Sequence, residues 1–333
     1  MPPALSHVSS PPTSRGRLFT VRLRVRGDLR AAALRMTGSD FLGGVLHGAV
    51  RSRWFDWVGG DAPGSDRAAS QSASPANLSW RVLAPPLRRA VGRATADDIQ
   101  FGAVLHGGDA ALWDEAGRRL EALYELSVGP LRVPVLAAHC EHRALPAAAA
   151  WTPAMTGDNP YAPHPATLAL HWLTPLHLAS RAKIEAGHGD AAPTLLATVR
   201  SLHRRVCQLE PEWAEALGLR TTAWVFAEEA LRRAEARADG GTRNRLRLLD
   251  WRYGSRTKNA PFGRSGPIGC QVFRVPVTNP LLGLLSIGTW LGVGEGASFG
   301  CGQYLWRARL AGGERISAAV PQPWAGLNGS LLA

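Results

Sequence analysis

The stretch LFTVRLRVRG, residues 18–27, limits the possible folds more than any other part of the chain. Phe19, Val21, Leu23 and Val25 fall on one side of an extended backbone, and Thr20, Arg22, Arg24 and Arg26 on the other. Strict period two with one apolar face describes a strand in a sheet covered on one side, its open face an arginine row. A helical pattern follows over residues 39–58, with Leu42, Val45, Leu46, Ala49 and Val50 as the buried stripe and Ser39 available as a cap. Strand patterns recur at LSWRVLAPP (78–86), DIQFGAVLHG (98–107) and RVPVLAAH (132–139), with a helix expected across 111–127. Strand, helix, two strands, helix, strand is the order of a split βαβ, ferredoxin-like domain.

Beyond the Pro-rich break TPAMTGDNPYAPHP (152–165) the order returns. ATLALHWLTPLHL (166–178) reads as a strand ending at a proline turn, and helical patterns cover 193–210 and 211–238. Arginine-rich strands are expected at 243–255 and 268–277, an apolar helix at 280–293, and a last strand at QYLWRARL (303–310). The expected architecture is α+β: two tandem ferredoxin-like domains, 16–148 and 166–310. Around them lie a Pro/Ser-rich tail (1–15), a linker (149–165) and a C-terminal extension (311–333). No internal sequence repeat accompanies the duplication, which rests on element order alone.

Charge narrows the function. The chain carries 38 basic and 26 acidic residues, a net +12, and every basic residue except Lys183 and Lys258 is arginine. A GC-rich genome explains arginine in place of lysine but not the net excess, so a nucleic-acid partner is expected. Cys140, Cys207, Cys270 and Cys301 form no CxxC pair, which argues against structural zinc and a disulfide framework and for a reducing compartment. The first residues lack an apolar signal core, and no run of about 18 apolar residues suggests a membrane span. The expectation is a cytoplasmic protein with no membrane partner.

GVGEGASFGCG, residues 292–302, satisfies the weak dinucleotide pattern G-x-G-x-x-A. No helix start follows it, and no Gly-Lys-Ser/Thr, so it is not read as a cofactor cradle. No cofactor is expected. The pair His139 and His142 has metal-like spacing but lacks two further ligands nearby, so no metal site is assigned.

Four segments, in this order, resemble the CRISPR-associated repeat-RNA endoribonuclease family of the RAMP superfamily: GSDFLGGVLHGAVRSR (38–53), SWRVLAPPL (79–87), LHWLTPLHL (170–178) and GTWLGVGEGASFGCGQY (288–304). The resemblance implies tandem ferredoxin-like (RRM-like) domains and a metal-independent cut within precursor repeat RNA. In such a cut the ribose 2′-OH attacks the adjacent phosphate and leaves a 2′,3′-cyclic phosphate and a 5′-OH. Partners so implied are CRISPR repeat RNA, the mature guide RNA and other CRISPR effector subunits. A non-catalytic RAMP subunit that only holds guide RNA is the alternative.

The resemblance places a catalytic histidine near the first helix, where His47 lies off the buried stripe with Arg51 one turn on. His47 is expected to be exposed, with Gly44 and Gly48 leaving room for an approaching backbone. None of the four tyrosines is near it in sequence, which leaves Arg51 as the charge partner. For RNA binding the candidates are Arg243, Arg245, Arg247, Arg252, Arg256, Lys258 and Arg264, interleaved with Trp251 and Tyr253. Gly292, Gly294, Gly296, Ser298, Gly300 and Gly302 join them as a loop that a phosphate could approach closely, with a tight connection between the domains as the other reading. His171 and His177 are read as structural, His177 standing next in line for catalysis. Trp113, Leu120 and Leu123 are read as core.

Overall fold

A computed structural model describes residues 16–58, 79–85, 98–145, 162–178, 193–237, 243–255 and 260–318. The first half supplies β1 (Gly16–Val25), α1 (Leu29–Thr37), α2 (Gly43–Val58), β2 (Ser79–Leu83), β3 (Asp98–His106), α3 (Ala110–Glu121), β4 (Glu125–Val128) and β5 (Leu131–Ala144). The second supplies β6 (His164–Trp172), α4 (Leu195–Leu209), α5 (Pro211–Ala216), α6 (Thr222–Ala236), β7 (Arg243–Ser255), β8 (Ala260–Val277) and α7 (Asn279–Leu291). A 3₁₀ turn at Ala297–Phe299, then β9 (Tyr304–Leu310) and β10 (Arg315–Ser317), complete it.

Two five-stranded antiparallel sheets result, ordered β2-β3-β1-β5-β4 and β10-β9-β6-β8-β7. In each, the first strand of the half sits at the centre, β1 between β3 and β5 and β6 between β8 and β9, with one extra strand, β4 or β10, added at an edge. The protein is therefore α+β with two tandem ferredoxin-like domains, as the element order implied.

β1 alternates as its sequence demands. Phe19, Val21, Leu23 and Val25 are buried under α2 and α3, while Arg22, Arg24 and Arg26 are exposed. Leu18 lies on the open face yet is buried too, because with Leu83, Val104 and Leu145 it packs into the core of the second domain. In return, Trp251 of β7 and Cys301 enter the core of the first.

Element ends depart from expectation in four places. The helix expected over 111–127 stops at Glu121; Asp109 caps its start by accepting from the Leu112 N–H at 2.9 Å. Leu126 and Val128 then alternate as buried residues of β4, which hairpins onto β5. β10 pairs with β9 inside the segment expected as an extension, and α1, capped by Asp28, was not anticipated. Ser39 does not cap α2: its hydroxyl accepts from the Phe41 N–H, and the helix starts at Gly43. Leu120 and Leu123 are core as expected, but Trp113 is half-buried, its indole N–H donating to the Gly107 carbonyl and the Arg17 guanidinium over its ring.

The seam between domains is polar as well as apolar. Arg81 of β2 is buried and donates to the Leu291 carbonyl at 2.6 Å. Gln303 donates its side-chain N–H to the Val82 carbonyl. His106 at the end of β3 meets Glu210 at 2.6 Å, both side chains 2% exposed. Burial lowers the His106 pKa despite Glu210, so the ring is neutral near pH 7 and must donate its Nδ1 proton to the carboxylate.

Candidate nucleic-acid interface and cleavage site

α2 turns its apolar stripe inward, and His47 lies off that stripe on the flank of the helix. It is not the exposed side chain that the helical wheel suggested. The ring is half-buried and stacked on both faces, with Trp80 of β2 at 4.6 Å and Phe299 of the 3₁₀ turn at 3.9 Å between centroids. No hydrogen bond occupies its ring nitrogens among the described residues, so the polar edge is open to a substrate. Burial first, and the Arg51 charge second, lower its pKa to about 4. His47 is therefore a neutral imidazole near pH 7: it can take a proton but has none to spare. Arg51 is exposed one turn further along α2.

The loop after α7 reaches His47 through glycines. Gly292, Gly294, Gly296, Gly300 and Gly302 all have positive φ, where a β-carbon is disfavoured. At Gly300 the space is also filled: a β-carbon would sit 2.7 Å from the Ala84 Cβ and 2.9 Å from its nitrogen. Gly292, Gly294, Gly300 and Gly302 are buried, and the Gly302 N–H donates to the Pro175 carbonyl and the Glu295 N–H to that of His177. The loop thus packs along the proline turn after β6 and along β2, and only Glu295, Gly296, Ser298 and Phe299 keep exposed surface. On α2 the absent side chain of Gly43 admits the Phe299 carbonyl, and nothing lies near Gly48.

The basic residues gather on the open face of the second sheet. Register across the strands aligns Arg315, Arg309, Thr167 and Arg274 in one row, Ser317, Arg307, Ala169 and Val272 in the next, and Leu305, His171, Cys270 and Arg245 in a third. No acidic residue falls in these rows. Arg245, Arg274, Arg307, Arg309 and Arg315 are all exposed, and the charges of Arg307 and Arg245 both reach Cys270. Arg309 and Arg315 are direct cross-strand partners, a like-charge pair that destabilises a sheet unless an anion joins it. The arginine row of the first sheet differs, since Arg24 is paired with Asp98 at 3.0 Å.

Of the basic residues expected in 243–264, Arg245 and Arg247 are exposed on β7. Arg243, Arg252 and Arg264 lie on β7 and β8 with only their backbone described, and Arg256 and Lys258 fall outside the described residues. Trp251 is a core residue packed edge-on to Phe41, not a stacking platform. Strand β5 turns His139 and His142 to opposite faces, where they meet Glu121 and Glu141 or Asp114. His171 faces Cys270 on the open sheet, and His177 is half-buried with Glu295 at 3.7 Å.

Residues 170–304 match the family model for "CRISPR-associated endoribonuclease Cas6". The match falls within the second domain. It opens with LHWLTPLHL and closes with the glycine loop and Tyr304, so it includes Phe299 but neither His47 nor Trp80. No curated protein matches the chain. Among solved structures, a Cas6 complexed with a substrate mimic is 18% identical, covering 88% of this chain and 99% of its own, with a TM-score of 0.40. A Thermus thermophilus Cas6 is 14% identical over 88% and 98%, TM-score 0.44. A RAMP protein binding different RNA substrates is 10% identical over 87% and 98%, TM-score 0.38.

Sequence reasoning missed Arg274, Arg307, Arg309 and Arg315, although the alternation in WRARL already puts Arg307 and Arg309 on one face. It also missed Trp80 and Phe299, whose meeting at His47 joins three distant segments and leaves no local signal.

Proposed function

We propose that the protein is a Cas6-type endoribonuclease that cuts CRISPR repeat RNA in precursor transcripts. The observation that carries this reading is the neutral His47, held against the glycine loop of the segment matching the Cas6 family. In the proposed reaction the His47 ring takes the proton of the ribose 2′-OH. The 2′-oxygen attacks the adjacent phosphorus, the 5′-oxygen leaves with that bond's electron pair and takes up a proton from solvent water, and His47 returns its proton to solvent. Products are a 2′,3′-cyclic phosphate and a 5′-OH. Exposed Arg51 supplies positive charge to the phosphorane, and no step calls for a metal ion. The arginine face of the second sheet holds the RNA backbone and retains the guide product, with other CRISPR effector subunits as further partners.

Stacking on both faces of His47 favours one other reading, a subunit that holds guide RNA without cutting it. Incubation with a repeat hairpin in EDTA separates the two. Cleavage is expected, ending in a cyclic phosphate and lost on 2′-deoxy substitution at the cut site. An intact hairpin bound at high affinity would leave the non-catalytic reading standing.

A further inference from the structure

β2 and the loop after α7 are clasped along their length, and His47 sits between them. β2 supplies Trp80 to one face of the ring and the Val82 carbonyl to Gln303, and Ala84 just after it meets the close approach of Gly300. The loop supplies Phe299 to the other face. The placement of the ring therefore depends on where the loop is held at its far end, against the end of α7.

That end is held by two guanidinium groups. Arg81 donates to the Leu291 carbonyl. Arg205, from α4, donates Nη1 to the Gly292 carbonyl at 2.8 Å and Nη2 to the Gly294 carbonyl at 2.5 Å. A helix leaves its last carbonyls without partners and its C-terminus partly negative, so a cation there is well matched. The planar fork does more than balance charge: one group fixes two carbonyls two residues apart and so sets the direction in which the loop leaves the helix. Arg205 is half-buried with its charge kept, burial lowering its pKa only to about 10.

We propose that Arg205 is a positioning residue for the cleavage site: by forking the Gly292 and Gly294 carbonyls it holds Phe299 on His47 and so sets the orientation of that ring. This rests on the reading of His47 as the acting group. Among the described residues Arg205 makes no hydrogen bond to His47 and no ring contact with Trp80 or Phe299; its bonds go to the loop carbonyls.

The test uses the full-length chain with Arg205→Met, which keeps the stem and removes the fork, and Arg205→Lys, which keeps the charge on a single-point donor. Repeat affinity and single-turnover cleavage at saturating protein are measured beside the ring resonances of His47 by NMR. Arg205→Met is expected to slow cleavage by roughly 10- to 100-fold, since misplacement by about 1 Å costs up to that much, with affinity changed less than about twofold and the His47 resonances moved. Arg205→Lys should recover part of both. In a Phe299→Leu background Arg205→Met should add little, because the link it acts through is gone. His47 resonances unmoved in Arg205→Met would overturn the proposal, as would equal losses of rate and affinity or a full additional loss on Phe299→Leu. If Arg205→Met does not fold, Arg205→Lys decides by the same resonances, which must move. Should His47→Ala cleave like the wild type, the chemical reading fails while the resonances still judge the positioning role.

Discussion

Replacing Gly300 by alanine tests the close approach on which the site depends. Two costs add. At φ +77° an L-residue pays about 1 kcal/mol for the left-handed conformation. The new methyl would also stand 2.7 Å from the Ala84 Cβ, roughly 0.8 Å inside the distance at which carbon contacts turn favourable. Overpacking of that kind costs about 1–3 kcal/mol. The sum of about 2–4 kcal/mol corresponds to a melting temperature lower by roughly 4–16 °C for domains of this size. Gly313 serves as the control, because its φ is +88° and nothing lies within 4 Å of its missing β-carbon. Gly313→Ala should lose only the conformational part, about 1 kcal/mol. Both variants are melted by circular dichroism, and both are assayed for single-turnover cleavage of a repeat hairpin. Gly300→Ala should cleave at least roughly 10-fold more slowly, since the loop must shift next to Phe299, whereas Gly313→Ala should match the wild type. Equal melting losses in the two variants would refute the packing of the loop on β2.

Other expectations follow from the same geometry. Alanine at Arg274, Arg307 and Arg309 together should lower the salt slope of repeat binding by up to roughly 2, at about 0.7 per phosphate contact; an unchanged slope in filter binding would remove the sheet face from the interface. With a His47 pKa of about 4, kcat/KM for cleavage should be flat near neutrality and fall as pH approaches 4, because only the neutral ring accepts a proton; a fall above pH 7 instead would make it an acid. The unfolded ring binds its proton nearer pH 6.5, so that stability is present above 6.5 and about 3 kcal/mol is lost as pH drops towards 4. Urea titrations of wild type and His47→Gln should differ by that pH-dependent amount. Glu210→Ala should cost about 1–3 kcal/mol by leaving the neutral His106 ring's N–H without an acceptor inside the seam.

Much of the fold was legible, for local reasons. Period two in residues 18–27 gives β1 and its buried face, and the order of elements gives both domains. The ends misread are those decided by contacts far along the chain. Leu120 and Leu123 continue a helical spacing into residues that pair as β4, because β5 offers an edge there. Leu18 reads as an outward residue and is buried only because the second domain arrives. At the site, helical spacing placed His47 correctly off the Leu42 and Leu46 stripe but could not show the two rings that sandwich it. The glycine run was legible as a loop of close approaches; what it approaches is first of all protein, at Ala84 and along the proline turn.

The seam also limits how the chain can be divided. β2 is an edge strand by order in its sheet, yet Arg81 on it is buried, and Leu18, Leu83, Val104 and Leu145 of the first domain lie in the core of the second. Trp251 and Cys301 make the reverse trade. Each half thus carries part of the other's interior. A chain severed between the two sheets would give fragments that expose those side chains and recover their structure only by finding one another, so the paired domains behave as a single unit rather than as two modules on a string.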